Sequence, residues 1–173
     1  MAPCVTVFET ARLRLRQLTA DDAAFIFKLV NDPAWLRYIG DRNVRTLDDA
    51  RNYILKGPAA SYEKHGFGLW LTELKADATP IGICGLIRRD TLPDVDIGFA
   101  LLPEFCGQGY ITEAGRATLD YGRAKLGLKR IVAITAPDNQ ASIRTLEKLG
   151  LRFEQVLQVP GYDSESRLFA SEA

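Results

Sequence analysis

Strict alternation marks the first element of the chain. In RLRLRQL, residues 12–18, Leu13 and Leu15 fall on one face and the arginines on the other, the period-2 pattern of a half-buried strand. Thr19, followed three residues later by Asp22, has the form of a capping box, and AAFIFKLV behind it continues as a helix. Asn31-Asp32-Pro33 breaks that helix, and a short helical segment through Trp35, Leu36 and Ile39 stops at Gly40. Thr46 with Asp49 repeats the cap signature and opens a helix through Tyr53, Ile54 and Leu55. Pro58 interrupts it and leaves its continuation toward Lys64 open.

The texture then changes to short apolar runs. Residues 67–74, 81–88 and 95–102 predict three strands joined by short loops, an antiparallel meander. Helical spacing returns over 111–126, where Ala114, Ala117, Tyr121, Ala124 and Leu128 form a stripe and Gly127 suits the stop. A strand at 129–136 follows. Next comes a helix at 139–149 with Ile143, Leu146 and Leu149 on one face, and strands at 152–159 and 166–170 finish the chain. This order predicts an α/β fold with a mixed sheet.

Composition narrows the field. The 173 residues are 47% hydrophobic, enough for one self-sufficient core, so residues 1–173 are expected to form a single domain. Lysine plus arginine number 22 and aspartate plus glutamate 22, a balance that lacks the electrostatic footprint of a nucleic-acid binder or a membrane-surface protein. Cys4, Cys84 and Cys106 are odd in number, widely separated and without a CxxC pair, against both a disulfide framework and a cysteine-rich zinc site. The single histidine, His65, removes a histidine-rich metal site and argues against a Ser-His-Asp triad, so no metal is expected. Next to Gly66 it reads as a helix-terminal residue. No apolar run approaches the ~18 residues of a membrane span, and the first residues lack a secretory pattern. A reducing cytoplasm is the expected location.

The chemistry gathers in LLPEFCGQGYITEA, where a strand ends, Gly107 and Gly109 make a turn and a helix begins at once. Glycines let the backbone approach a ligand closely, and a helix start offers unpaired N–H groups backed by a partial positive charge. Together these suit a phosphate or pyrophosphate, although the same glycines can serve a tight turn alone. A Walker loop is excluded because no Gly-Lys-Ser/Thr follows. A Rossmann fingerprint fails because Thr112 takes the third glycine position and antiparallel strands precede the turn. Downstream, in PDNQASIRTLEKLGLRF, Asn139 looks like an N-cap and Ser142 lies over the same turn.

These two motifs, in this order and separation, resemble the Gcn5-related N-acetyltransferase (GNAT) superfamily. The closer likeness is to its branch of ribosomal-protein alanine and serine N-acetyltransferases. The resemblance runs from TARLRLRQLTADDA through IGICGLI and DIGFALLPEFCGQGY to the C-terminal strands. It implies a mixed, mostly antiparallel sheet flanked by helices, with a splayed strand pair holding acetyl-CoA as donor. The pyrophosphate would rest on Gly107, Gln108, Gly109, Tyr110, Ile111 and Thr112, and Asn139 and Ser142 would face the pantetheine and thiol. The family's turn begins with Gln or Arg where this chain has Glu104, which removes a favourable side chain.

Acetyl transfer to an amine needs a neutral nucleophile, an N–H donor for the developing oxyanion, and close positioning of both substrates. The oxyanion donor is expected at the backbone of Leu101 or Leu102. Asp96 shares a strand face with Asp94, Gly98 and Ala100. Taken alone it reads as a solvated carboxylate on an exposed face, whereas the family resemblance implies a base acting through water. Ser142 matches a serine proposed in relatives to serve the thiolate, and hydrogen bonding to the sulfur is the expected role. Cys106 reads as a bystander, since direct transfer needs no acyl-enzyme. Trp35, Tyr38 and Tyr53 read either as core aromatics or, by resemblance, as the roof of the acceptor site. The acceptor is expected to be a protein N-terminal α-amine or a small amine, amino acid, polyamine or antibiotic, handled by a monomer or homodimer. A non-catalytic acyl-CoA-binding module and a generic α/β domain with a merely structural turn are the competing readings.

Overall fold

The computed structural model describes residues 4–162 and 164–171. Its sheet has eight strands: β1 (Thr6–Glu9), β2 (Leu13–Arg16), β3 (Leu69–Leu74), β4 (Pro80–Ile87), β5 (Asp96–Leu101), β6 (Ile131–Thr135), β7 (Arg152–Leu157) and β8 (Ser166–Ser171). The spatial order is β1-β2-β3-β4-β5-β6-β8-β7. Every neighbouring pair is antiparallel except β5 with β6. The mixed α/β architecture anticipated above is therefore the one observed. Short β1, residues TVFE, has too little alternation to stand out in the sequence.

The helices are α1 (Ala23–Val30), α2 (Pro33–Tyr38), α3 (Leu47–Ile54), α4 (Ala60–His65), α5 (Tyr110–Leu126) and α6 (Gln140–Lys148). Both anticipated capping boxes close: Thr19 with Asp22 caps a short 3-10 turn leading into α1, and Thr46 with Asp49 caps α3. Pro58 does not end the third helix. A π-helical segment, Leu55–Ala59, carries the chain through it into α4, so the missing proline N–H falls where the i→i−4 ladder is already broken.

One sheet face packs on α5 and α6 through Leu13, Leu15, Trp70, Ile81, Leu86 and Ile97. The opposite face packs on α1 and α3 through Leu71 and Ile83. The face of α5 differs from the apolar stripe predicted from spacing. Ala114, Gly115, Thr118, Leu119 and Gly122 are buried, whereas Ala124 is exposed. Small size decides the contact: a Cβ on Gly115 would stand 2.7 Å from Leu149 of the segment closing α6, so a larger residue there would push the helices apart. In α6, Ile143 and Leu146, with Leu149 just beyond it, are buried as their spacing predicts.

Candidate active site

The parallel neighbours β5 and β6 share one bridging pair, Asp96 with Val132, and Val132 N–H donates to Val95 O at 3.0 Å. Beyond that pair no ladder continues between them among the described residues. Leu102 N–H is turned the other way and donates to Ile81 O at 2.9 Å. Peptide groups alternate along a strand, so Phe99 and Leu101 present their N–H and C=O toward the opening. This separates the two oxyanion candidates. Leu102 is spoken for, its carbonyl also accepting from Phe105 N–H, and its side chain is buried under α1. Leu101 has its amide on the free edge.

The strand gap opens into a cavity of about 780 Å³. Its wall holds Asp96 and Leu101 from β5, Gly107, Gly109, Tyr110 and Ile111 from the turn and the start of α5, and Asn139 and Ser142 at the start of α6. Three sequence-predicted residues stand off this wall: Leu102, Gln108 and Thr112. Gln108 folds back, its Nε2 donating to Glu104 O at 3.1 Å. Gly107 and Gly109 have φ of +77° and +81°, the left-handed region that disfavours larger residues. Apart from its chain neighbours, no heavy atom of the described residues lies within 4 Å of a Cβ built on Gly107, so the turn leaves room for a group to approach its backbone. Glu104, the departure from the family's turn, pairs with Lys28 at 3.4 Å.

Asp96 is not the solvated carboxylate that its strand face suggests. It is 1% exposed, and Arg89 Nε donates to its Oδ1 at 3.1 Å. Burial pushes its pKa up to about 6, against the opposing pull of the Arg89 guanidinium. The Asp96 carboxyl therefore changes charge close to neutral pH, where a base is useful. The guanidinium carbon of Arg89 stands 5.8 Å from the centre of the Tyr162 ring, and both residues line the cavity. Arg89 and Tyr162 escaped the sequence reading. A register signal was available for Arg89, because Ile87 pairs with Asp96 in the β4–β5 hairpin and Arg89 follows by two residues.

Asn139 is the N-cap of α6, its Oδ1 accepting from Ser142 N–H at 3.2 Å. The Ser142 hydroxyl takes no part in this cap and has no hydrogen-bond partner among the described residues. The two roles therefore separate. Asn139→Ala is expected to cost about 1 kcal/mol of stability. Ser142→Ala is expected to leave the melting temperature near wild type while turnover falls. Melting curves and initial rates on both variants check this, and normal turnover by Ser142→Ala would assign that hydroxyl no function. Cys106 lines the cavity too, but burial and the carboxylates of Asp32 and Glu104 push its thiol pKa up, which makes it a poor nucleophile. His65 ends α4 and stacks on Phe67, outside this wall.

A strand gap with a free peptide edge, a glycine turn at a helix start and a buried carboxylate meet in one cavity, an arrangement that suits an extended, anionic ligand. The sequence matches the Acetyltransferase (GNAT) domain family over residues 12–152. It is 34% identical over 154 residues to an uncharacterized N-acetyltransferase of Bacillus subtilis, YoaA, covering 88% of this chain and 86% of that one. The fold matches a ribosomal-protein-S5-alanine acetyltransferase from Vibrio fischeri with a TM-score of 0.78 at 22% identity, covering 97% and 96% of the two chains. It also matches RimL, a ribosomal α-N-protein acetyltransferase, in complex with coenzyme A, with a TM-score of 0.81 at 18% identity over 96% and 97%. The chain belongs to the GNAT family and is an N-acetyltransferase, an acyltransferase of a family whose donor is acetyl-CoA. No helix among the described residues is long and apolar enough to cross a membrane.

Proposed function

We propose that this protein transfers an acetyl group directly from acetyl-CoA to a primary amine that carries a single positive charge, such as a peptide N-terminal α-amine or a small monoamine. The observation that carries this reading is one cavity reaching from the glycine turn to Asp96. Residues 1–173 then act as one domain with one site, and the dispersed free cysteines suit a reducing cytoplasm.

Acetyl-CoA supplies an activated thioester carbonyl, and the protein supplies position, charge and a place for the proton. The N–H groups at the start of α5, opened by Gly107 and Gly109, hold the pyrophosphate. The free edge of β5 and the amide of Asn139 hold the pantetheine. Leu101 N–H donates to the carbonyl oxygen as negative charge develops there. The Ser142 hydroxyl hydrogen-bonds the sulfur. Asp96, through a water, accepts the ammonium proton so that the amine attacks neutral, and Arg89 tunes how readily it does so. Removing that guanidinium is expected to raise the pKa of Asp96 further. Arg89→Gln should therefore move the acidic limb of the pH–rate profile above pH ~6 and recover turnover by pH ~8. An unmoved limb in the folded variant would detach Arg89 from the chemistry.

A polycation is the weaker acceptor. Of the five carboxylates in the cavity wall, Asp96 faces Arg89, Asp138 pairs with Arg37 at 3.2 Å and Asp41 pairs with Arg45, whereas Asp32 caps α2 and Glu165 has no ion-pair partner among the described residues. With Arg42 also without an ion-pair partner among the described residues of this wall, Asp32 and Glu165 leave about one net negative charge, enough to meet one ammonium and little more. A free-thiol assay with acetyl-CoA against N-terminally varied peptides, monoamines, aminoglycosides and spermidine tests the proposal, with masses confirming the product. Monoamines or peptide α-amines should show the highest kcat/KM. A clear preference for spermidine would overturn the single-charge reading, and donor binding without thiol release for any amine would favour a binding module.

A further inference from the structure

We propose that Arg12 is a ligand for a phosphate of the donor, supplied from a distant part of the chain to a turn that has no cation of its own. The inference rests on the donor reading above and adds a residue to it. Residues 103–113 contain Glu104 and Glu113 and neither lysine nor arginine, an unfavourable side-chain balance beside a pyrophosphate. Where the family's turn begins with Gln or Arg, this chain begins with a carboxylate. The fold corrects the balance by bringing in the β1–β2 turn.

Arg12 lies in that turn, and its guanidinium is fixed on three sides. Nε donates to Glu113 Oε1 at 2.8 Å, Nη1 donates to Gln108 O at 3.0 Å, and the guanidinium carbon stands 4.3 Å from the centre of the Tyr110 ring. Glu113 is itself held by Thr10 Oγ1 at 2.5 Å and Arg12 N–H at 2.9 Å. Arginine frequently presents its fork to a carboxylate bidentately. Here only Nε meets Glu113, and the fork end is swung onto the glycine turn. Nη2 makes no hydrogen bond among the described residues and lies 3.3 Å from where a Cβ of Gly109 would stand. The side chain as a whole is 45% exposed. A planar cation pinned beside helix-start N–H groups gives up little side-chain freedom on meeting a phosphate, and its geometry suits one. Glu113 and Tyr110 act as positioning residues for it.

Calorimetry with coenzyme A and dephospho-coenzyme A, together with kinetics using phosphate-free acetyl-pantetheine, tests the assignment. Arg12→Ala should weaken coenzyme A at least about tenfold and flatten the salt dependence of its Kd, as expected when a phosphate contact is lost. Arg12→Lys should fall between wild type and Arg12→Ala, and acetyl-pantetheine should be used by all three at the same KM. Glu113→Gln, which keeps the cation but loosens its hold, should weaken coenzyme A clearly less than Arg12→Ala does. A loss that persists with dephospho-coenzyme A identifies the pyrophosphate, and a loss that disappears identifies the ribose phosphate. Either result upholds Arg12 as a phosphate ligand. Equal losses by Arg12→Ala and Glu113→Gln, or a matching loss with acetyl-pantetheine, would reduce Arg12 to a brace for the turn and overturn the inference. If Arg12→Ala binds like wild type while Gly109→Glu does not, the inference fails and the donor reading stands. If both bind like wild type, the donor reading fails.

Discussion

Gly109→Glu is expected to raise the Kd for coenzyme A by about 100-fold or more while the protein stays folded. Two like charges ~4 Å apart at an effective dielectric of ~20 repel by about 4 kcal/mol, roughly a thousandfold in affinity before relaxation. The new side chain also stands over the backbone N–H groups that the glycine turn leaves open. The fold should tolerate the change. A non-glycine residue at φ +81° costs on the order of 1–2 kcal/mol. A carboxylate at the start of α5 recovers part of that through the helix dipole and through Arg12 Nη2 nearby. Calorimetry paired with a melting curve separates the two effects. Wild-type affinity in a folded variant would remove the donor from this turn.

Asp96→Asn should have the next largest effect, a fall in turnover at pH 7 of about 100-fold, the lower end of what a general base contributes. The sign of its pH dependence follows from the buried carboxyl. With a pKa of about 6, Asp96 in the wild type is protonated below that pH and cannot take the ammonium proton, so the rate should climb through pH 6. Asparagine keeps the shape and removes that limb. Activity of the variant should instead climb toward the pKa of the free amine, about 7.8 for an α-amine and about 10.4 for a lysine-like one. Coenzyme A affinity should change little, because Asp96 lies at the other end of the cavity from the turn. A wild-type profile in the variant would leave Asp96 as a buried partner of Arg89 and nothing more.

How far the sequence carried is clearest in pairs of residues. Leu13 and Leu15 were legible because alternation reports burial directly, and Thr46 with Asp49 because a cap is a local hydrogen-bond pattern. The Gly107 and Gly109 turn was legible because its conformation demands those residues. Asp96 was found as a residue but not as an environment: period-2 spacing assigns a face, and whether water reaches that face depends on Arg89, Tyr162 and the helices above it. Arg12 was hidden for a related reason. Its partners Gln108, Tyr110 and Glu113 stand about a hundred residues away, and no local periodicity encodes that meeting. The α5 face was misread because Gly115 and Gly122 carry no hydrophobic signal, yet close packing requires their small size.

Placing both reactants in one cavity, as proposed, predicts a ternary complex, with no acetyl group parked on Cys106. Initial rates measured while both acetyl-CoA and the preferred amine are varied test this most directly. Double-reciprocal lines that intersect are the predicted result, and they should keep intersecting in Cys106→Ala at an unchanged turnover. Parallel lines, the pattern of an acyl-enzyme formed with release of coenzyme A before the amine binds, would contradict direct transfer across this cavity.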